Sequence, residues 1–430
     1  MTGALRIGLA GLGTVGTGVA KVLLGNAKGL TSRAGRGLAL TAASARDAKK
    51  DRGVDLSGVA FEKDALALAS RADVDVVVEL IGGEEGAART LVEAALDAKK
   101  HVVTANKALL ARHGASLAAL AERNGVTLKF EAAICGGIPI VKALRESLIA
   151  YDVSAVRGIL NGTCNFILTK MEATGRSFAD VLAEAQRLGY AEADPTLDIG
   201  GGDTAHKLTL LTSLAFGTAP DLDGVSMTGI DKVTPADIAF AGEFGYRLKL
   251  LGVARKTPNG IEQRVHPAMV RARTPLADVE SSFNAVMADA GEAGPFFFEG
   301  RGAGQGPTAS AVIADIVDVA RGAWGPAFGR PAAELTKPTR APVESRSSAY
   351  YLRFQVLDVP GVMAEISRHL ANAGVSIESM IQRGRAPGEP VAIVMITHDS
   401  QHAAVERALK AIAASDKVFE APCMIPMEAA

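Results

Sequence analysis

Cysteine is scarce in this 430-residue chain, which holds three, and tryptophan occurs once. Cys135, Cys164 and Cys423 stand far apart with no CxxC spacing, which excludes a disulfide framework and a cysteine zinc site and fits a reducing cytoplasm. Charge of one sign is also missing: 46 Lys and Arg against 47 Asp and Glu leave a net charge of -1. A chain without a basic stripe carries no electrostatic footprint for nucleic acid. No apolar run approaches the ~20 residues of a membrane-spanning helix. The opening MTGALRIGLAGLG lacks the charged start, apolar centre and cleavage pattern of a signal peptide. No low-complexity tract or solenoid repeat is found. The expectation is a cytoplasmic protein that contacts neither nucleic acid nor membrane.

What the chain does have is alternation. In LRIGLAGLGTVGTGVAKVLL an apolar strand runs into Gly11, Gly13 and Gly16, with Thr14 and Val15 between them, and then into a helical pattern. GxGxxG between a strand and a helix is the dinucleotide turn. The first glycine makes the bend, the second admits a pyrophosphate, and the third lets helix and strand pack. The second strand ends in LALTAASARDAKKDR, which offers Ser44, Arg46, Lys49, Lys50 and Arg52 where an NAD site usually offers a carboxylate. That composition favours NADP over NAD, with Asp47 as the dissenting residue and a solvated helix face as the bland alternative. Further strands in VDVVVELIGG and HVVTANKALLA predict an α/β, Rossmann-type domain over residues 1–150, with Glu79 and Lys107 near strand ends. Glu131 sits inside an apolar run and needs a partner.

Residues 151–320 read as an α+β substrate and dimerisation domain. It contains an Asn161-Gly162 turn that enters a helix at Thr163, and the acidic stretch YAEADPTLDIGGGDTAHKL. Asp203 and Lys207 are four apart on one helical face, a spacing that a simple surface ion pair also explains. In GRGAGQGPTASAVIADIVDVA, residues 300–320, a glycine turn leads into a helix with Pro307 in its first turn, which is expected to pack back toward the first domain. Residues 321–348 turn rich in Pro, Ala, Gly and Arg, as linkers do. Residues 349–430 give a βαββαβ order of the ferredoxin-like kind.

Together GLGTVGTGV, VVTANKALLA, FEAAICGGIPIVKALRESL, GILNGTCNFIL, GYAEADPTLDIGGGDTAHKL and GRGAGQGPTASAV resemble the homoserine dehydrogenases, and LDVPGVMAEIS resembles an ACT regulatory domain. The resemblance spans essentially the whole chain. It implies NAD(P)H-dependent reduction of aspartate 4-semialdehyde to homoserine, on the route to threonine, methionine and isoleucine. It makes Lys207 the general acid, with Asp203 orienting it and binding substrate. Lys107 would lie near cofactor and substrate, Glu192 would hold the substrate ammonium, and Asp198 and Thr163 would complete the substrate wall. Gly189 would lie near the nicotinamide, Thr104 among the cofactor contacts, and Gly302 and Gly304 in a loop closing on NADP. It also implies a monovalent cation such as sodium, held by the Glu131, Ile134, Gly136 and Ile138 carbonyls, with Cys135 a bystander.

In the ACT unit, Asp358, Pro360 and Gly361 form a strand-to-helix turn whose free N-H groups suit a carboxylate, with threonine as the expected effector. The expected assembly is a homodimer or homotetramer. The other classes left open are a related dehydrogenase for another small amino or hydroxy acid, and a catalytically inactive NADP- or amino-acid-sensing oligomer.

Overall fold

The computed structural model describes residues 3–383 and 390–428. Six parallel strands come first: β1 Leu5–Ala10, β2 Leu38–Ser44, β3 Ala60–Glu62, β4 Val76–Glu79, β5 His101–Thr104 and β6 Leu128–Lys129. Their order, β3-β2-β1-β4-β5-β6, is that of a dinucleotide-binding doubly wound sheet. β4 is buried at all four positions, as a strand covered by helices on both faces must be. The turn after β1 is possible only with glycine: Gly11 has φ +100, and a Cβ on Gly16 would lie 1.9 Å from the Gly11 carbonyl oxygen.

A second sheet begins with β7 Ala155–Ile159, β8 Ser226–Met227, β9 Tyr246–Thr257, β10 Gly260–Arg271, β11 Phe283–Asp289 and β12 Pro295–Arg301. β9 and β10 pair over their full length as a hairpin. The helix Gln305–Arg321 then returns to the first unit. Ala309, Val312, Ile316 and Val319 join Ile7, Leu9, Val19 and Leu23 in one apolar cluster.

The C-terminal unit supplies β13 Ser347–Ser348, β14 Tyr350–Leu357, β15 Ile377–Gln382, β16 Pro390–Thr397, β17 Ser400–Gln401 and β18 Cys423–Glu428. The helices Val362–Asn372 and His402–Ala413 cover one face of the order β18-β14-β16-β15. This is the predicted βαββαβ arrangement. β18 has a second partner as well: Met427 and Glu428 pair in parallel with Met269 and Val270 of β10, so the strands of the middle and C-terminal units form one ten-stranded sheet. The outer edge of β10 is thus closed by three separate segments, with Arg340 bridging Ile261 and β8 lying beside Arg264 and Val265.

The Pro- and Gly-rich stretch before the C-terminal unit is packed. Phe328 is buried with its ring 5.1 Å from that of Phe130, and Thr336 bridges Thr218. Among the described residues no helix is long and apolar enough to cross a membrane.

Candidate active site

Four elements converge on the Asp203 carboxylate. β7 ends at Ile159, and the next two residues supply the Leu160 carbonyl and the Asn161 side chain. Asn161 caps the helix Gly162–Thr174 by accepting from the Cys164 N-H at 2.8 Å. Its amide nitrogen donates to Asp198 Oδ1 at 2.8 Å and to Asp203 Oδ2 at 2.9 Å. The helix Gly202–Phe216 carries Asp203 and Lys207 one turn apart, and the Lys207 ammonium donates to Asp203 Oδ2 at 2.7 Å and to the Leu160 carbonyl at 2.6 Å. Lys107, first residue of the helix Lys107–Arg123, stands 3.2 Å from Asp203 Oδ1 and remains partly open to solvent.

The electrostatics follow from that geometry. Burial would raise the Asp203 carboxyl, but Lys207 and Lys107, then the hydrogen bonds from Lys207 and Asn161, hold it far below the usual carboxylate range. Burial would lower the Lys207 ammonium, yet Asp203 carries it above its ordinary value. Lys207 is therefore a cation at neutral pH. An ammonium has three N-H donors, and two of these three are spent on Leu160 and Asp203. Asp198, at the other end of the Asn161 amide, is pushed up by burial.

The acidic loop before this helix is tied down from behind. Thr163 donates its hydroxyl to the Tyr190 carbonyl at 2.7 Å, and Gly189 turns the chain at φ +78. Glu192 is exposed on the loop, with no partner for its carboxylate among the described residues.

The dinucleotide turn is open where a phosphate would lie. The helix Thr14–Gly25 starts at Gly13 with no side-chain cap and no acidic residue in its first turn, and a Cβ on Gly13 would meet nothing within 4 Å. Just after β2, Arg46 and Asp47 are both exposed, and the Asp47 carboxylate accepts from the Lys49 N-H at 2.8 Å. Arg52 reaches back to the Leu12 carbonyl at 3.2 Å and so lies against the turn. Thr104 is fully buried, its hydroxyl donating to Glu79 at 2.5 Å and accepting from the Asn106 N-H at 2.9 Å. Glu79 also takes the Ile81 and Gly82 N-H groups, so this buried carboxylate braces the loop after β4.

A short relay joins the two sites. The Leu160 carbonyl that holds Lys207 also accepts from Asn284 Nδ2 at 2.9 Å. Asn284 packs so closely on Gly302 that a Cβ there would lie 2.1 Å from Nδ2. Three residues on, Gln305 Nε2 donates to the Thr14 carbonyl at 3.0 Å, with Gly304 at φ +115 between them. Asn284 and the cap role of Asn161 escape a reading of the sequence. Asn-Gly signals a turn, and only the cap spacing to Cys164 hints that the side chain is engaged.

The turn at Ile134–Ile138 lies against the loop that carries Gly302, with the Gly137 N-H donating to the Arg301 carbonyl at 3.0 Å. Cys135 and Gly136 take φ +50 and +34, and a Cβ on Gly136 would come 2.7 Å from the Gly302 carbonyl oxygen. The Glu131 carboxylate accepts from the Val141 and Lys142 N-H groups, both at 2.9 Å, which supplies the partners its burial demands. Among the described residues no His, Cys, Asp and Glu side chains cluster to hold a metal ion, so a cation here would rest on backbone carbonyls. In the C-terminal unit Gly361, at φ +94, opens the helix Val362–Asn372 without a side-chain cap, three residues after Asp358.

Comparison with known proteins gives a consistent result. The model for the NAD binding domain of homoserine dehydrogenase matches residues 11–131, that for homoserine dehydrogenase matches 139–317, and that for the ACT domain matches 350–416. The chain is 46% identical over 430 residues to the homoserine dehydrogenase of Neisseria gonorrhoeae, covering 99% of this chain and 98% of that one. Against the Pseudomonas aeruginosa enzyme it is 44% identical over 421 residues, 96% of each. The crystal structure of a homoserine dehydrogenase from Thiobacillus denitrificans superposes with a TM-score of 0.94 at 43% identity over the whole of both chains. A hyperthermophilic archaeal homoserine dehydrogenase, solved in complex with NADPH, gives 0.64 at 25% identity over 75% of this chain and 99% of that chain.

Proposed function

Because the chain belongs to the homoserine dehydrogenase family, we propose that Lys207 is the general acid and base of its reaction and that Asp203 holds it in place. The activity is the reversible, NAD(P)-dependent interconversion of L-aspartate 4-semialdehyde and L-homoserine. The bound nicotinamide supplies the hydride. Everything else falls to side chains of this chain. As the carbonyl carbon becomes tetrahedral, its oxygen gains charge and needs a proton. The unspent N-H of Lys207 is aimed by two fixed acceptors, and this is the observation that carries the assignment. Lys107 shares Asp203 and adds positive charge beside the developing alkoxide. Glu192 and Asp198 form the acidic wall for the substrate ammonium, Thr163 fixes that wall through Tyr190, and Gly189 turns the loop.

The cofactor is assigned to the turn of Gly11, Gly13, Thr14, Val15 and Gly16, with Thr104 and Lys107 behind it and Gly302 and Gly304 on the far side. NADPH is the preferred form. The Asp47 carboxylate is taken up by the Lys49 N-H, and Arg46, Lys49 and Lys50 stand exposed after β2 as cations for a 2′-phosphate. The archaeal relative solved with NADPH agrees in kind. A monovalent cation such as sodium belongs at the Glu131, Ile134, Gly136 and Ile138 carbonyls. These are hard oxygen donors of the kind alkali ions take, and the loop they touch carries Gly302.

The division at residues 1–150, 151–320, 321–348 and 349–430 follows the change of sheet between β6 and β7 and the start of β14. The ACT unit is read as an amino-acid effector module, with threonine at the Asp358–Gly361 turn. β15 lies at the free edge of the ten-stranded sheet, where a second copy can pair, in keeping with a dimer or tetramer in the cytoplasm. The inactive-sensor alternative is not favoured by the family match.

Steady-state kinetics test the reading. Lys207→Ala should bind NADPH as the parent does and lose roughly 10²- to 10⁴-fold in kcat; turnover near the parent's would remove Lys207 from the chemistry. The parent should show a higher kcat/KM with NADPH than with NADH, and equal values would count against the Arg46 assignment.

A further inference from the structure

Between the outer edge of β10 and the C-terminal unit lies a cavity of about 360 Å³. One wall is formed by Thr228, Gly229 and residues 264–267, the other by Arg346, Tyr350 and residues 421–426. None of the residues assigned above to substrate, cofactor, cation or effector lines it.

The charges around this cavity do not close. Arg255 meets Glu262 at 2.9 Å and Glu428 at 3.4 Å, and Arg346 meets Glu262 at 3.3 Å. Arg264 pairs with both glutamates. Three guanidiniums against two carboxylates leave one positive charge over. Burial, opposed by Glu262 and reinforced by Arg255 and Arg346, pushes the Arg264 guanidinium down to about 10. His266 is driven well below its usual range by burial and then by Arg264, Arg346 and Arg255, so its ring is neutral.

The other ionisable groups facing the space are engaged or at its mouth. Arg353 is paired with Asp237 at 2.7 Å, His402 with Glu406 at 3.2 Å, and Lys232 is exposed. Arg264 and His266 are only 4% and 6% exposed, yet Arg264 Nε and both ring nitrogens of His266 lack a hydrogen-bond partner among the described residues. For His266 the nearest carboxylate oxygen is 3.6 Å away. Buried donors are normally paired. These face a cavity whose remaining lining includes the apolar Val233, Val265 and Ile425.

We propose that this cavity binds a small aliphatic carboxylate of amino-acid size, its carboxylate against Arg264, Arg346 and His266 and its carbon chain against Val233 and Ile425. Occupancy is felt by the catalytic loop through a wall one residue thick. Gly201, at φ +89 between Asp198 and Asp203, lies against Val265, where a Cβ would come 2.8 Å from Cγ1. Ile230 donates its N-H to the Ile199 carbonyl at 2.9 Å. The inference rests on the reading of the C-terminal unit as regulatory, but it places the ligand at the seam with β10 and not at the Asp358–Gly361 turn.

Calorimetric titration of the full chain decides. The probes are L-threonine, L-isoleucine, propionate as a bare carboxylate, and inorganic phosphate as an anion without a carbon chain. At least one carboxylate should bind saturably, lose about tenfold or more in affinity in Arg346→Gln, lose binding altogether in Ser226→Trp, which fills the mouth, and keep it in Gly361→Asp. The same probe should change KM or kcat of the parent. Absence of carboxylate binding, or binding that survives both Arg346→Gln and Ser226→Trp in variants with parent-like melting curves, overturns the site. Loss of binding in Gly361→Asp alone moves the effector to the turn and leaves the regulatory reading standing. Phosphate binding tighter than every carboxylate overturns the ligand class, and binding without a kinetic effect overturns the coupling.

Discussion

At Lys207 and Lys249 two buried lysines meet opposite fates, and the difference is one carboxylate. Lys207 faces Asp203 and stays charged. Lys249 donates to the Val279 carbonyl at 2.6 Å and to Asn165 at 3.3 Å, with no carboxylate in contact among the described residues, and burial followed by Arg247 pushes it down to about 8. A base whose folded value is depressed destabilises the fold while it is charged. Its contribution is fully present above the ordinary 10.5 and is lost as pH falls through about 8. Lys249→Met should therefore compare best with the parent below pH 8 and lose ground steadily from there to about 10.5, as read from melting temperatures. A difference between the two proteins that does not vary with pH would show that Lys249 titrates normally. Lys107 makes a separate case. Lys107→Ala leaves Asp203 with Lys207 and Asn161, so the fold should hold while kcat/KM falls, whereas an unchanged value would leave Lys107 a bystander.

At the scale of elements, the loop from Tyr190 to Gly202 shows how much the sequence discloses. Its three carboxylates and its glycine run are plain, and Asp203 and Lys207 just beyond it fall on one face by helical periodicity alone. The reason for glycine at 201 is not visible there. It is the close approach of Val265, a strand residue far along the chain, together with the left-handed φ. Gly201→Ala combines that contact with a backbone conformation costing roughly 1–2 kcal/mol for an L-residue. It should lower the melting temperature and raise KM for homoserine more than it changes KM for NADP, while equal effects on the two would mean that the loop does not form the substrate wall. The same limit applies at Asn161 and Asn284. Turn chemistry is local and legible, but the bonds to Asp203 and Leu160 are made by tertiary packing. The dinucleotide turn is the opposite case, since strand, glycines and helix all lie within one short stretch.

For the whole molecule, composition and alternation suffice for three units, and the ferredoxin-like order of the last one follows from its local pattern. Their fusion through β18 does not, because a pairing such as Arg264 with Glu428, 164 residues apart, leaves no periodic trace in the sequence. The stretch that reads as a linker likewise owes its packing to distant partners, Phe130 for Phe328, Thr218 for Thr336 and Ile261 for Arg340.

β18 also bears on how the molecule comes together. Until that strand arrives, Met269 and Val270 present unpaired backbone at a sheet edge, which is a template for pairing with a stranger. Removing residues 423–428 should then yield aggregates, detectable by light scattering during refolding, in place of an enzyme merely freed from control. A well-behaved truncated enzyme would show that this edge protects itself. The strand is at once part of the C-terminal sheet and, on this account, a guard against misassembly, so selection acting on one role constrains the other.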